Sequence, residues 1–169
     1  MDKSLLITSF DIWEAHHVTN AADDLVGEFI QRWPLPDLQV LRHLPVDFEL
    51  APARVIAALE GWQPQVVICC GMAEQRSRLT VESCGCHLDE VMTTAIDLEN
   101  LIADLAMTDI SHDAGRFVCN YLYYSVLKFI QTNQLPTQCI FVHVPLLNQR
   151  NIEPIVADFA RIVQRMQRC

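Results

Sequence analysis

Long apolar runs are missing from this chain of 169 residues, and so is any cluster of positive charge. No segment approaches the roughly 20 consecutive apolar residues that a membrane-spanning helix needs. The opening stretch from Met1 to Phe10 has one Lys and a short apolar piece followed by Asp11, too brief for the apolar region of a signal peptide. Lys and Arg number 12 against 21 Asp and Glu, a formal net charge of −9, and from Leu79 to Gly115 there is no Lys or Arg at all. A field of that sign repels phosphate backbones and anionic lipid surfaces, so neither nucleic acid nor a membrane is an expected partner. Internal repeats, low-complexity tracts and linker-like Pro/Gly/Ser stretches are also absent, and a single domain over residues 1–169 is expected. With no secretory segment in view, a cytoplasmic location follows as an expectation. Cys69, Cys70, Cys84, Cys86, Cys119, Cys139 and Cys169 should then remain thiols, and their odd number, 7, fits that better than a disulfide framework.

The chain does have a hydrophobic content of 51%, ample for one continuous core. Ser4–Ser9 reads as a buried strand. Asn20–Trp33 follows as a helix with Leu25, Phe29, Ile30 and Trp33 on one face, capped by Asn20 with Asp23 three residues on. Leu38–Leu41 is a short strand, Pro52 opens a helix that stops at Gly61, and Gln65–Cys70 is a fully apolar strand. Gly115–Gln131 has a helical period, Cys139–His143 is a buried strand ended by Pro145, and Ile152–Arg168 is an amphipathic helix. Strands alternating with helices predict an α/β fold, a largely parallel sheet covered on both faces. Ser83–Ser111 is the least readable stretch: Leu98, Leu101, Ile102 and Leu105 have helical spacing without clear caps.

Ligand sites of open α/β sheets form at the carboxyl edge of the parallel strands. That edge gathers Phe10–Trp13, Gly71–Arg76 and His143, while Cys119 falls in the first turns of its helix, where the dipole and free N–H groups should lower a thiol pKa. A cysteine and a histidine on one edge suffice for thiol nucleophilic catalysis. Taken singly, however, a cysteine on an apolar helix face is usually core, and Glu82 reads as an exposed strand residue. Cys84-Gly-Cys86-His87 lacks a fourth ligand at zinc spacing, so no metal is expected there; Cys69-Cys70 reads as strand core and His16-His17 as a polar loop.

Three motifs change this balance. Gly71-Met-Ala-Glu-Gln-Arg-Ser-Arg-Leu-Thr-Val-Glu82 resembles a Gly-Gln-Ala-Gly-Gly-Arg loop leading to Ile-Thr-Pro-Glu in the pyroglutamyl-peptidase I family. Ala114-Gly-Arg-Phe-Val-Cys-Asn120 resembles that family's Ala-Gly-Thr-Phe-Val-Cys-Asn, and Phe141-Val-His-Val-Pro145 its Phe-Ile-His-Val-Pro. Leu5–Asp11 is similar to its N-terminal strand and loop. The resemblance implies a three-layer α/β/α fold of the phosphorylase/hydrolase-like kind. It also implies a cysteine peptidase, without cofactor, that removes an N-terminal pyroglutamyl group from peptides. Cys119 would be its nucleophile, His143 its base, and Glu82 the group orienting the histidine. Phe10, Trp13, Met72, Phe117 and Val118 would contact the substrate, and a homo-oligomer is compatible with the family.

The departures concern substrate. Met72 replaces a glutamine, Glu74-Gln75 replaces two glycines, and Glu14-Ala15 replaces Gly-Gly. The segment between Glu82 and Cys119 is shortened and lacks the family's oxyanion arginine, leaving Arg116 as the candidate in its place. Turnover should then be slow, selectivity for the lactam weak, and Arg116→Ala further damaging. A thiol hydrolase of shifted specificity and a catalytically silent binding protein are the alternatives.

Overall fold

The computed structural model describes residues 2–168. In chain order the elements are β1 (Leu5–Phe10), α1 (Ala21–Arg32), β2 (Leu38–Leu44), α2 (Leu50–Trp62), β3 (Val66–Met72), β4 (Leu79–Glu82), β5 (Cys84–His87), β6 (Glu90–Thr93), α3 (Leu98–Ile102), β7 (Thr108–Ser111), α4 (Val118–Thr132), β8 (Gln138–Val144) and α5 (Ile152–Arg168). A 6-stranded sheet has the order β2-β1-β3-β8-β4-β7. β2, β1, β3 and β8 run parallel, whereas β4 pairs antiparallel with β8 and parallel with β7. The expected α/β architecture is therefore present, with one reversal at the β8–β4 boundary.

The central strands are largely apolar because both faces are covered. Alternate residues go to opposite sides: Leu5, Ile7, Ile68 and Val142 join α1 and α5 in one core, and Leu6, Val67, Cys69 and Phe141 join α2 and α4 in the other. Burying side chains of this size contributes about 1.5–3 kcal/mol each. α5 presents Ile155, Phe159, Ile162, Val163 and Met166 inward, and its Asp158 carboxylate accepts from Met107 N and Thr108 Oγ1, fixing the start of β7.

Asn20 caps α1 by accepting from Ala22 N. Asp23 does not complete a capping box; it accepts from Ser9 Oγ at 2.6 Å and from Arg42 Nη2 at 2.6 Å, tying α1 to β1 and β2. α2 passes through Gly61 and ends at Gln63, which adopts the left-handed conformation at φ 53°. The unreadable stretch is a two-stranded hairpin, β5–β6, followed by the short α3 and β7. Asn120 pins this hairpin to α4: its side chain accepts from Cys86 N at 2.8 Å and donates to Cys86 O at 2.7 Å. Cys169 lies outside the described residues; Cys69, Cys70, Cys84, Cys86, Cys119 and Cys139 are free thiols. No helix among the described residues is long and apolar enough to cross a membrane.

Candidate active site

Three neighbouring strands place the catalytic candidates in a row. Gly71 on β3 is in register with His143 on β8, and His143 faces Thr80 on β4. Neighbouring strands lie about 4.8 Å apart, and residues two apart on a strand share a face, so Glu82 is the diagonal neighbour of His143. Cys119, the second residue of α4, lies over β3, with its sulfur in the space a Gly71 side chain would take. A Cβ built on Gly71 would stand 2.6 Å from Cys119 Sγ. The row is thus Cys119, His143, Glu82, each over its own strand.

His143 Nδ1 lies 2.7 Å from Glu82 Oε1, and both side chains are buried. Glu82 is not the exposed strand residue that its local sequence indicates. Because β4 runs against β8, the carboxyl end of β4 points down from the edge, and Glu82 pairs with Phe141, two residues deeper than His143. Burial alone would raise its carboxyl; the hydrogen bond and charge of His143, Ser111 and the charge of Arg76 outweigh this and hold it below the ordinary carboxylate range. An ionised Glu82 can only accept, so His143 donates through Nδ1 and leaves Nε2 as the acceptor.

Arg76 belongs to this network, although the sequence yielded no role for it beyond its place in the loop motif. Its Nη1 reaches Glu82 Oε1 at 2.5 Å and also Thr80 Oγ1, and its Nη2 donates to Asp113 O at 2.9 Å. Arg116, the oxyanion candidate, does not join: its Nη1 bonds Asp113 Oδ1 at 3.0 Å and its side chain is 74% exposed. The loop arginine could have been singled out because it falls on the carboxyl edge just before Glu82.

The thiol departs from expectation. Instead of being lowered, it is pushed up to about 12, by burial first and then by Cys69 and Glu82; its own backbone N–H at the head of α4 only partly offsets this. Among the described residues no hydrogen bond joins Cys119 to His143. The direction favours the thiol over the thiolate in the resting site.

The substrate candidates separate into two groups. Trp13 and Phe117 are exposed and packed together with ring centroids 5.2 Å apart, and Phe48 meets Phe117 edge-on at 5.9 Å. Phe117 is the N-cap residue of α4, two positions before Cys119, so this aromatic platform adjoins the nucleophile. Phe10 and Val118 are core residues, 2% and 1% exposed. Met72 packs on the α1/α5 side of the sheet, and its Sδ accepts from Ala21 N at 3.4 Å; the structure does not bring it to the Cys119 face. A separate cavity between α1 and α5, lined by Phe29, Trp33 and Ala160, shares none of these residues.

Comparison with known proteins finds one family throughout. The pyroglutamyl peptidase family profile matches residues 92–163, which include Cys119 and His143. The chain is 23% identical to a pyrrolidone-carboxylate peptidase of Brachyspira hyodysenteriae, over 88% of this chain and 86% of that protein. It is 26% identical to one of Thermoanaerobacter sp., over 85% and 82%. Among solved structures, the pyrrolidone carboxyl peptidase of Thermococcus litoralis superposes with a TM-score of 0.81 at 21% identity, covering 98% of this chain and 93% of that one. Pyroglutamyl peptidase I of Bacillus amyloliquefaciens gives 0.77 at 19% identity, covering 99% and 93%.

Proposed function

From the likeness to pyroglutamyl-peptidase I, which runs through motifs, family profile and fold alike, we propose that this chain is a cysteine peptidase removing N-terminal pyroglutamyl groups from peptides. Cys119, His143 and Glu82 are its triad. The observation that carries the proposal is the clearance at Gly71, which seats Cys119 Sγ one strand from a histidine already oriented by a buried carboxylate.

Cys119 Sγ attacks the amide carbonyl carbon as His143 Nε2 takes the thiol proton. Because burial pushes the resting thiol up, His143 must draw this proton for attack to proceed. Glu82 accepts from Nδ1 and steadies the imidazolium, and His143 itself, with smaller help from Ser111 and Arg76, keeps Glu82 ionised. Backbone N–H groups at the head of α4 are the nearest oxyanion donors, in the role first considered for Arg116. The departing amine takes the proton from Nε2. Water, deprotonated by the same nitrogen, then hydrolyses the thioester. Trp13 and Phe117 offer apolar faces for the lactam ring. The chain works as one domain, without a cofactor, in the reducing cytoplasm.

A fluorogenic pyroglutamyl amide tests this directly. Turnover should be abolished by Cys119→Ala and by prior alkylation of Cys119. Equal turnover by Cys119→Ala would refute the proposal.

A further inference from the structure

His16 and His17 stand in the loop that follows β1. β1 and β3 are neighbours, so the loops that follow them at the carboxyl edge lie side by side. One holds His16 and His17, and the other holds Glu74. One ligand atom from each of the three lies within 4.8 Å of the others. His17 Nε2 is 3.1 Å from Glu74 Oε1, and His16 Nε2 is 3.8 Å from Glu74 Oε2. The imidazole rings are 4.0 Å apart. A turn closed by His17 N donating to Glu14 O fixes this pairing, and Glu14 Oε2 comes to 3.4 Å from His16 Nδ1.

A second, independent observation concerns His17 alone. Its side chain is only 7% exposed, and both ring nitrogens are buried without a hydrogen-bond partner. The approach of Nε2 to Glu74 is close in distance but does not have hydrogen-bond geometry. A buried polar group without a partner is costly, so an ion pair alone explains the arrangement poorly.

We infer that His16, His17 and Glu74 bind one divalent ion of the zinc type. Two neutral imidazoles and a carboxylate are a borderline N2O donor set, suited to Zn2+ and unlike the all-oxygen sets of Ca2+ or Mg2+. In a tetrahedral zinc site, ligand atoms stand about 3.3 Å apart, given metal–ligand lengths near 2.0–2.1 Å. His17 Nε2, 3.1 Å from Glu74 Oε1, already stands near that value, and His16 Nε2, 3.8 Å from the other oxygen, closes on the same one by side-chain movement. Water takes the fourth position, and the Glu14 carboxylate, beside His16 Nδ1, orients that ring from behind. The ion would tie together two loops flanking the proposed active site. It would also hold Trp13, whose ring packs 5.7 Å from His17 and 5.2 Å from Phe117. Glu14 and Glu74 are among this chain's departures from the family motifs.

The test uses the full chain carrying Cys119→Ala, so that the proposed nucleophile cannot serve as a ligand and the result stands apart from peptidase activity. Chelator-stripped protein is titrated with Zn2+ by calorimetry and with Co2+ by absorption. The expected result is one ion per chain and a tetrahedral Co2+ spectrum with no thiolate charge-transfer band. Affinity should fall about a hundredfold in His16→Ala and in Glu74→Gln, with folding checked by circular dichroism. His16 is largely exposed and Glu74 partly so, and neither change should unfold the chain. Absence of binding, a thiolate band pointing to Cys84 and Cys86, or unchanged affinity in both variants overturns the inference.

Discussion

Gly71 and Cys119 share one space: the missing Gly71 side chain is the room in which Sγ sits, and a Cβ there would stand 2.6 Å from the sulfur and 2.8 Å from Phe141 Cζ. Phe141 is fully buried and cannot yield, so Gly71→Ala must displace the cysteine. A misplacement of about 1 Å at a nucleophile costs on the order of a hundredfold, and kcat/KM on a pyroglutamyl amide should fall by that much. Overpacking should lower unfolding free energy by about 1–3 kcal/mol, measurable in urea. Unchanged turnover would show that the sulfur does not need this position.

Much of the fold was legible because strands with both faces covered write themselves as apolar runs. β3 and β8 were located from Gln65–Cys70 and Cys139–His143 to within about two residues at either end. The reversal of β4 was not legible, since strand direction depends on pairing partners far away in sequence. Glu82 therefore looked exposed while it sits at 0%. The thiol was misjudged for a similar reason. Its place at a helix start is local, but Cys69 beneath it and the buried carboxylate nearby come from tertiary structure. Arg116 attracted attention by its nearness in sequence to Cys119, whereas Arg76, 43 positions before the nucleophile, reaches the network through the loop after β3.

The upward push on the Cys119 thiol has a measurable consequence. If Cys119 titrates near 12, its alkylation by iodoacetamide should be slow at pH 7 and still rising above pH 9. Mass spectrometry of tryptic peptides after timed exposure follows Cys119 separately from the partly exposed Cys84 and Cys86. A rate that levels off near neutral pH would instead indicate a stored thiolate–imidazolium pair.

Arg76 and Arg116 should behave oppositely. The Glu82 carboxyl is held below its ordinary 4.5, so its ionised form contributes stability that is full above 4.5 and lost as pH falls through the lowered folded value. The stability difference between wild type and Glu82→Gln isolates this contribution from that of other lowered acids such as Asp23. In an Arg76→Gln background the difference should be smaller and should begin to fall at higher pH. Activity should drop in Arg76→Gln because His143 loses a fixed partner. Arg116→Ala, exposed and bound only to Asp113 and its own loop, should leave activity within about twofold, contrary to the expectation from sequence.

The β5–β6 hairpin is tied to α4 by hydrogen bonds, aromatic packing and an ion pair, and these can be removed one at a time. Asn120→Ala removes both bonds to Cys86 and leaves a backbone N–H and C=O to find water, at a cost of about 1–3 kcal/mol. Gly85→Ala is the harsher change. Its added Cβ would meet Tyr124 N at 2.5 Å and Tyr124 Cα at 2.9 Å, atoms of a helix backbone that cannot step aside. The hairpin must then lift from α4, whose first turn also holds Cys119. Hydrogen exchange should show faster exchange at Cys86 in Asn120→Ala, with α4 retained. In Gly85→Ala the loss should extend along β5–β6 and into the start of α4, with turnover lost as well. Equal exchange in the two variants would mean that the hairpin is anchored elsewhere, through the salt bridge of Glu90 to Lys128 at 2.6 Å.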